Sequence, residues 1–531
     1  MVTTANNTPE PTSTDFDVVI IGGALSGGAA ALMLMRQMPS LRVLIVEKSA
    51  RFGRRVGEAT VEVSAYFLMR VLGLGQHLHN FHIAKQGLRF WFANESTQSL
   101  PDCSEIGGKY LSRIPSFQVD RSVLDEEVLK RACGAGAKLM RPAAVRRVYL
   151  NTAKIQEIEV GAEGLTQTIR ARWVIDASGV ACLLARQEGW WQQNKAHPTS
   201  ALWARFKNVA DLDGLELADK YPAWRMQCYG IRSTATNHIM GDGWWAWFIP
   251  LKGGDTSVGV VFDQRLVELP ESGSLSDRLT GFLSRHPAAR ELLADAVAEP
   301  GDIHWRRNLA YSCSVQAGDG FVLVGDAAGF LDPFYSPGMD WISFTTISAT
   351  ELILKEKRGE PIADAICEHN RSFTQSYRRW FEALYQDKYQ YMGDFELMSL
   401  AFSLDLGLYY FGVVGQPYKR GLESFSEPLF STGPSTLFYH FMRFYNRRLA
   451  RIANARRIMN TLGRCNTGHK KLVKGFALSM GTIIPVFRAV VAWLLLELRE
   501  GWRTWSFLAD DHALKPLTDA RHEIEVPVAV K

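Results

Sequence analysis

The sequence predicts an α/β protein, with a Rossmann-like nucleotide-binding domain near the start and a mainly helical C-terminal region. Three observations carry this prediction. Residues 17–28 join a β-branched run directly to a glycine-rich turn. A second apolar run closes on an acid, Glu47, 25 residues after the first turn glycine, Gly22. From about residue 346 onward the pattern turns helical and rich in Arg, Tyr and Phe.

The chain is long enough to bury a large core, and its composition, 47% hydrophobic and 22% charged, is ordinary for a folded soluble protein. A net charge of +5 spread over 531 residues is too weak to imply a nucleic-acid partner. Seven cysteines, at 103, 133, 182, 228, 313, 367 and 465, form no Cys-x-x-Cys pair. They are expected as reduced, mostly buried thiols of a cytoplasmic protein. Residues 1–16 are polar and Thr-rich, lack the basic and apolar regions of a signal peptide, and are expected as a disordered tail.

Asp17-Val-Val-Ile-Ile21 reads as a buried parallel strand. Gly22, Gly23, Ala24 and Gly27 lie in the turn that follows, helix formers run on to Met38, and Arg42–Glu47 is the next strand. Such a turn lets backbone N–H groups approach a pyrophosphate at a helix N-terminus, while the acid accepts hydrogen bonds from a ribose. Gly22, Gly23, Ala24, Gly27 and Glu47 are therefore candidate cofactor contacts. Ala24 departs from the G-x-G-x-x-G pattern, and its methyl group crowds the pyrophosphate side. Gly134-Ala-Gly136 follows helical sequence and reads as a helix end before a strand. No second nucleotide-binding unit appears, so the reductant has to arrive from outside a dedicated nicotinamide domain.

Two later segments resemble those of FAD-dependent oxidoreductases. Val174-Ile-Asp-Ala-Ser-Gly179 is similar to the strand that returns to the cofactor, and Phe321-Val-Leu-Val-Gly325-Asp326-Ala-Ala to the Gly-Asp motif. The resemblance implies FAD, with Asp326 on the ribityl chain, a helix then starting near the flavin O2, and Arg121 close to the cofactor.

Trp245-Ala-Trp247-Phe-Ile-Pro250 and Phe330-Leu-Asp-Pro333-Phe-Tyr-Ser336-Pro-Gly338 resemble, in the right order, the two signatures of flavin-dependent halogenases. Gly57-Glu-Ala-Thr60 and Lys85-Gln-Gly-Leu-Arg-Phe90 are similar to further blocks of that family. The resemblance covers roughly residues 17–345. It implies a Rossmann-like FAD-binding domain with an inserted mixed β-sheet substrate domain, over residues 17–345, and a helical C-terminal region at 346–531 that covers the substrate tunnel. It implies that FADH2 from a partner flavin reductase, oxygen and a halide ion yield hypohalous acid, which Lys85 directs at one carbon of an electron-rich ring. Burial of Lys85 would make the neutral amine available. Trp245 and Trp247 are expected to pack in the core while lining the flavin side of the substrate and halide pocket. Tyr335, Ser336 and Pro337 are expected on the substrate and halide side, with Gly338 on the flavin face.

Two departures bear on specificity. Tyr335 stands where tryptophan halogenases carry a Glu that contacts the indole, so a phenol, a pyrrole or a carrier-bound aromatic is expected rather than free tryptophan. Pro337 has no N–H at a place where the family holds halide partly through backbone donors. Losing one such donor costs about 1.5–3 kcal/mol of halide affinity. An FAD-dependent monooxygenase or dehydrogenase on the same fold, and a non-catalytic FAD-containing accessory protein at a membrane, stay open as alternatives.

In the C-terminal region, residues 351–357, 373–384 and 449–462 have helical periodicity, while Gly415-Gln-Pro417 and Gly433-Pro434 read as loops. Residues 476–498 are long and apolar enough to consider a bilayer span, but Pro485 and Arg488 argue against one. A buried hairpin or oligomer helix is expected there, with contact of residues 470–503 with the inner membrane surface as the alternative. His77-x-His79-x-x-His82 has no neighbouring acid or Cys partner, so no metal is expected, and the segment reads as a surface turn.

Overall fold

The computed structural model describes residues 15–505 apart from 152–153, 228–230, 432 and 474–482. The expected tail lies outside the described residues up to position 14. Asp15 and Phe16 do not belong to it: Asp15 N–H donates to Arg170 O at 2.9 Å, and Phe16 begins the first strand.

That strand, Phe16–Ile21, is central because Val18, Val19 and Ile20 are wholly buried on both sides. It pairs in parallel with Val43–Val46 on one side and with Leu165–Asp176 on the other. Phe321–Leu323 and Lys138–Met140 extend the parallel sheet at its two ends. The helix Leu25–Gln37 packs on Arg121–Gly134 through small residues: a Cβ on Gly28 would lie 2.9 Å from Val128 Cγ1. This is the Rossmann-like unit, and the strand ends Ile21, Val46, Asp176 and Leu323 all point to one crevice.

A second, eight-stranded mixed sheet follows from alternating β-branched and aromatic runs. Its order is Val297–Arg306, Thr199–Lys207, Thr256–Asp263, Trp244–Pro250, Thr236–Gly241, Leu88–Phe92, Ser104–Gly108 and Lys470–Val473. The last strand comes from the region expected to be helical and pairs in parallel with Ser104–Gly108. One face of this sheet is closed by Leu275–Leu283, Pro287–Leu292 and Trp224. The other face joins the main core, in which Trp245 meets Trp247, Phe334 and Tyr389 of the C-terminal region.

The C-terminal helices surround the 26-residue helix Gly433–Ile458. Buried ion pairs tie them together: Arg456 to Asp394 at 2.9 Å, Arg448 to Glu497 at 2.6 Å, and Lys388 to Asp405 at 2.6 Å. Three five-residue π-helical turns interrupt the helices, at Phe67–Val71, Phe381–Tyr385 and Tyr410–Val414. The long helical run Phe395–Ser426 is apolar enough to cross a membrane by length and composition, but 67% of its most apolar window is buried, as in a core helix.

Several expectations fail for identifiable reasons. Residues 75–81 form a helix, not a surface turn, because Leu74 and Leu78 anchor one side of it; His77 and His82 are buried. His82 Nδ1 accepts from the Asp120 N–H at 3.2 Å, and no group of three His, Cys, Asp or Glu side chains among the described residues is arranged to hold a metal ion. Gly415–Pro417 starts a helix, Gly415–Arg420, and Gly433-Pro434 opens the next one, where a proline costs no helical hydrogen bond. Of the six described cysteines only 103, 182 and 313 are buried; Cys228 lies outside the described residues. The described part of 476–498 is a surface helix, Ile483–Arg499, which buries Ala489, Trp493, Leu496 and Glu497 but exposes Phe487, Leu495 and Leu498.

Candidate functional site

The turn after Phe16–Ile21 is built for close approach. Gly22 has φ +96°, the left-handed region that glycine tolerates, and its N–H donates to Val46 O at 2.8 Å. A Cβ on Gly27 would collide with the Gly22 carbonyl oxygen. Ala24 is the helix N-cap with φ −67°, so an L-residue fits there without strain. Glu47 is buried: one carboxylate oxygen accepts from Gly23 N–H at 2.8 Å and the other from Ser49 N–H at 2.8 Å. It therefore holds the turn in shape and keeps lone pairs for a diol.

Asp176 closes the crevice from the neighbouring strand, accepting from Ser178 N–H at 2.9 Å and Leu184 N–H at 2.8 Å. Across from it, Phe321–Leu323 leads to Asp326. The helix expected directly after Asp326 is instead a single 3-10 turn, Gly325–Ala327, and the long helix begins only at Gly338. The Phe330–Gly338 motif fills the gap. Burial raises the pKa of Asp326, opposed by Arg121 and Arg306. Arg121 sits at the start of its helix, bonded to Asp125 at 2.9 and 3.2 Å, within electrostatic reach of Asp326 and Glu58. The fit to FAD rests on this geometry: a cradle that a Cβ would fill, first-turn N–H groups, and a recessed carboxylate facing an arginine.

Lys85 follows the short strand Ile83–Ala84, which pairs with Phe117–Gln118. Its backbone N–H donates to Ser116 O at 2.8 Å, and its ammonium reaches Thr60 O at 3.0 Å. The Gly-Glu-Ala-Thr block and the lysine block are thus joined by a direct contact. Lys85 is only 3% exposed. Burial lowers its pKa to about 8, opposed by Glu62 and Asp340.

Lys85 opens onto a cavity of about 1000 Å³. Tyr335, Pro337, Phe402 and Tyr385 line it, together with Glu62, Asp340, Tyr409 and Tyr410. The last four escaped sequence reasoning; the signals were that Glu62 lies two residues beyond the Gly57–Thr60 block and Asp340 two residues beyond the Phe330–Gly338 motif. Two π-helical turns, which often mark functional sites, begin or end at Tyr410 and Tyr385.

Trp245 and Trp247 are not among the residues that line this cavity. Trp245 packs on Phe334 with ring centres 5.1 Å apart, and Trp247 packs on Trp245 at 5.8 Å. Trp245 Nε1 donates to Tyr389 Oη at 2.9 Å, Tyr389 Oη donates to Asp332 Oδ2 at 2.9 Å, and His197 Nε2 lies 2.7 Å from the same oxygen. This chain couples the two signature motifs and pins the loop between them. The Asp332 Oδ1 also accepts from Phe334 N–H at 2.8 Å.

Beyond Phe334 the backbone is strained. Tyr335 and Ser336 have φ +67° and +58°, a conformation that costs a non-glycine residue about 1–2 kcal/mol. Two contacts hold it: Tyr335 Oη donates to Asp405 at 3.1 Å, and Ser336 N–H donates to Pro333 O at 3.0 Å. The Ser336 N–H is therefore spent inside the turn and Pro337 has none. Gly338, Met339 and Asp340 supply the N–H groups of the first helical turn, for which the described residues offer no acceptor. Ser336 itself does not line the cavity.

The family model of FAD dependent oxidoreductases matches residues 17–243. The chain is 28% identical to the flavin-dependent halogenase chlA of Dictyostelium discoideum over 373 residues, 64% of this chain and 60% of that protein. It thus spans less than two thirds of that relative's length. It is 25% identical to the 1H-pyrrole-2-carbonyl-[peptidyl-carrier protein] chlorinase of Pseudomonas fluorescens, over 69% of this chain and 82% of that one. Among solved structures, halogenase PltM in complex with phloroglucinol and FAD superposes with a TM-score of 0.68 at 18% identity, over 91% of this chain and 97% of that one. That likeness is one of fold.

Proposed function

We propose, from the premise that this chain belongs to the flavin-dependent halogenase family, that it halogenates an electron-rich aromatic with FADH2, oxygen and a halide ion. The observation that carries this reading is Lys85, a buried cation set in the wall of a large aromatic cavity and tied to the Gly57–Thr60 block. The fold likeness and the relatives named above support it.

In this reading Gly22, Gly23, Ala24, Gly27, Glu47, Arg121 and Asp326 hold FAD. The bound reduced flavin, with oxygen and halide, supplies hypohalous acid. The residues of this chain do the rest. Lys85, its charge destabilised by burial, holds the halogenating species by a hydrogen bond or as a haloamine. Phe334 is braced by the Trp245 ring and by the Tyr385 hydroxyl, which donates to its carbonyl oxygen at 3.0 Å, and so fixes the start of the strained Tyr335–Ser336 segment. The first-turn N–H groups from Gly338 onward favour an anion there, with one donor fewer because of Pro337. Residues 17–345 carry the reacting ends and residues 346–531 the cover over the substrate.

The cavity exceeds what a single small ring needs and opens past the exposed Tyr110, Leu111 and Phe411. A substituted or carrier-tethered aromatic suits it. Tyr335, committed to Asp405, offers no acid for an indole N–H. A separate flavin reductase would supply FADH2. Contact of 470–503 with a membrane is a secondary reading, favoured by the exposed Phe487, Leu495, Leu498 and Trp502; flotation with anionic vesicles decides it, and protein left wholly in the unbound fraction removes it.

The test is turnover with reduced FAD, oxygen, bromide or chloride, and a panel of phenols and pyrroles, read by mass spectrometry. A halogenated product that Lys85→Ala abolishes, with flavin oxidation intact, is expected. A hydroxylated product formed without halide would establish the monooxygenase instead.

A further inference from the structure

We infer that Asp340 is the base that takes the proton from the ring hydroxyl of a phenolic substrate while Lys85 delivers the halogen, so that the cavity is built for hydroxyarenes. This rests on the halogenase reading of the site.

The geometry places the two groups in one cavity. Asp340 occupies the first turn of Gly338–Lys357, two residues past the Phe330–Gly338 motif, and is 1% exposed. Its Oδ1 accepts from Ser64 N–H at 2.9 Å and its Oδ2 from Tyr409 Oη at 2.9 Å. Each oxygen thereby retains a lone pair for a further donor. A carboxylate oriented by two fixed donors and facing an apolar, aromatic space is an acceptor prepared for an O–H group. The groups that face it are Lys85 from one wall, Glu62 and Ser64 from the helix Glu62–Tyr66, and Tyr409 from the helix Phe395–Tyr409. Farther off, Tyr385 is also within its field. Glu62 is bonded to Tyr410, so the second acid of this wall is already engaged. Asp405 is paired with Lys388 and accepts from Tyr335, and Glu427, at the exposed rim of the cavity, is paired with Arg420. Asp340 is held by two neutral donors, the Ser64 N–H and the Tyr409 hydroxyl.

Burial raises Asp340 to about 7, against the hydrogen bonds of Tyr409 and Ser64. Both its charged and proton-loaded forms are populated near neutrality, as a general base requires.

The phenol O–H gives its proton to Asp340 as the oxygen electron pair enters the ring. The ring carbon forms a bond to halogen, and the halogen–oxygen bond of hypohalous acid, or the halogen–nitrogen bond of a haloamine on Lys85, breaks with its electrons on oxygen or nitrogen. The released hydroxide or amine takes up the ring proton as aromaticity returns, and Asp340 gives its proton back to the halophenolate oxygen, which restores the carboxylate. The sum is arene plus hypohalous acid giving haloarene plus water.

The experiment compares flavin-loaded wild type and Asp340→Asn with reduced FAD, oxygen and bromide, across phenols of graded acidity. General-base removal costs about 100-fold or more. For a phenol ionising near about 10, the variant should lose that factor in kcat, together with the rising limb of the pH profile near 7. For a nitrophenol already ionised at the assay pH, the two enzymes should agree within about threefold, since no base is needed there. Tyr409→Phe keeps the carboxylate and removes one donor that stabilises it, so the same limb should move to higher pH. An equal loss across the acidity series, or a limb that Tyr409→Phe leaves in place, would overturn the assignment as a base and leave a merely structural contact with Ser64. Wild type that forms no halide-dependent product from any phenol or pyrrole would overturn the halogenase reading and this inference with it; halogenation of pyrroles but of no phenol, or normal wild-type turnover with an unselective variant, overturns the role of Asp340 alone.

Discussion

Replacing Lys85 with Met should make the protein more stable at neutral pH and abolish the halogenation proposed for it. The ammonium is buried and has one hydrogen bond to protein, to Thr60 O at 3.0 Å. Burial lowers its pKa from 10.5 to about 8, although Glu62 and Asp340 oppose the change. At about 1.36 kcal/mol per pH unit, that difference amounts to about 3 kcal/mol against the folded state. The sign follows from proton counts. Below pH 8 the amine is charged in both states and the whole cost is present. Between about 8 and 10.5 the unfolded chain holds the proton and the folded chain does not, so stability rises with pH and the cost disappears. Met has similar length and no charge. Its loss of the Thr60 hydrogen bond costs about 1 kcal/mol, leaving a net gain of about 2 kcal/mol near neutrality. Urea unfolding of the flavin-loaded proteins at about pH 6.5 and about pH 10 measures this. The Met variant should lead at the lower pH and lose that lead at the higher one. A variant less stable than wild type at the lower pH, or a gap that does not change with pH, would refute the claim that the site carries a strained cation.

Gly27→Ala drives a methyl group into the Gly22 carbonyl oxygen, which the buried strand cannot move aside; FAD affinity by fluorescence titration should fall more than about tenfold, overpacking of this kind costing about 1–3 kcal/mol. Lys388→Met leaves Asp405 charged and buried without its cation, and should cost about 3–5 kcal/mol by urea unfolding, with Asp405→Leu in the same chain restoring much of it. Pro337→Ser returns an N–H beside Gly338 and should strengthen chloride use more than bromide use, because the smaller ion depends more on hydrogen bonds; unchanged halide dependence would show that this position is not part of the halide site.

The dinucleotide-binding turn of this protein was legible in its sequence because each part of it is local. A strand, a turn that tolerates positive φ at Gly22, a helix start and an acid at Glu47 lie within one β-α-β unit, and adjacency in the chain fixes their geometry. The two tryptophans and the Phe330–Gly338 segment were legible as patterns, but their relation was not. Only the fold shows that Trp245 reaches Asp332 through Tyr389 and packs on Phe334, and that neither tryptophan is in the cavity wall. The cavity itself is a product of tertiary structure. Tyr385, Tyr409 and Tyr410 reach it from helices whose register is altered by π turns, which no hydrophobic periodicity announces. Asp340 and Lys85 are 255 positions apart in the sequence and become partners only when Gly338–Lys357 packs beside Glu62–Tyr66. The same burial that removes water from both side chains brings their pKa values close to neutrality. Sequence specifies which groups are present; desolvation, which exists only in the folded chain, decides what they can do.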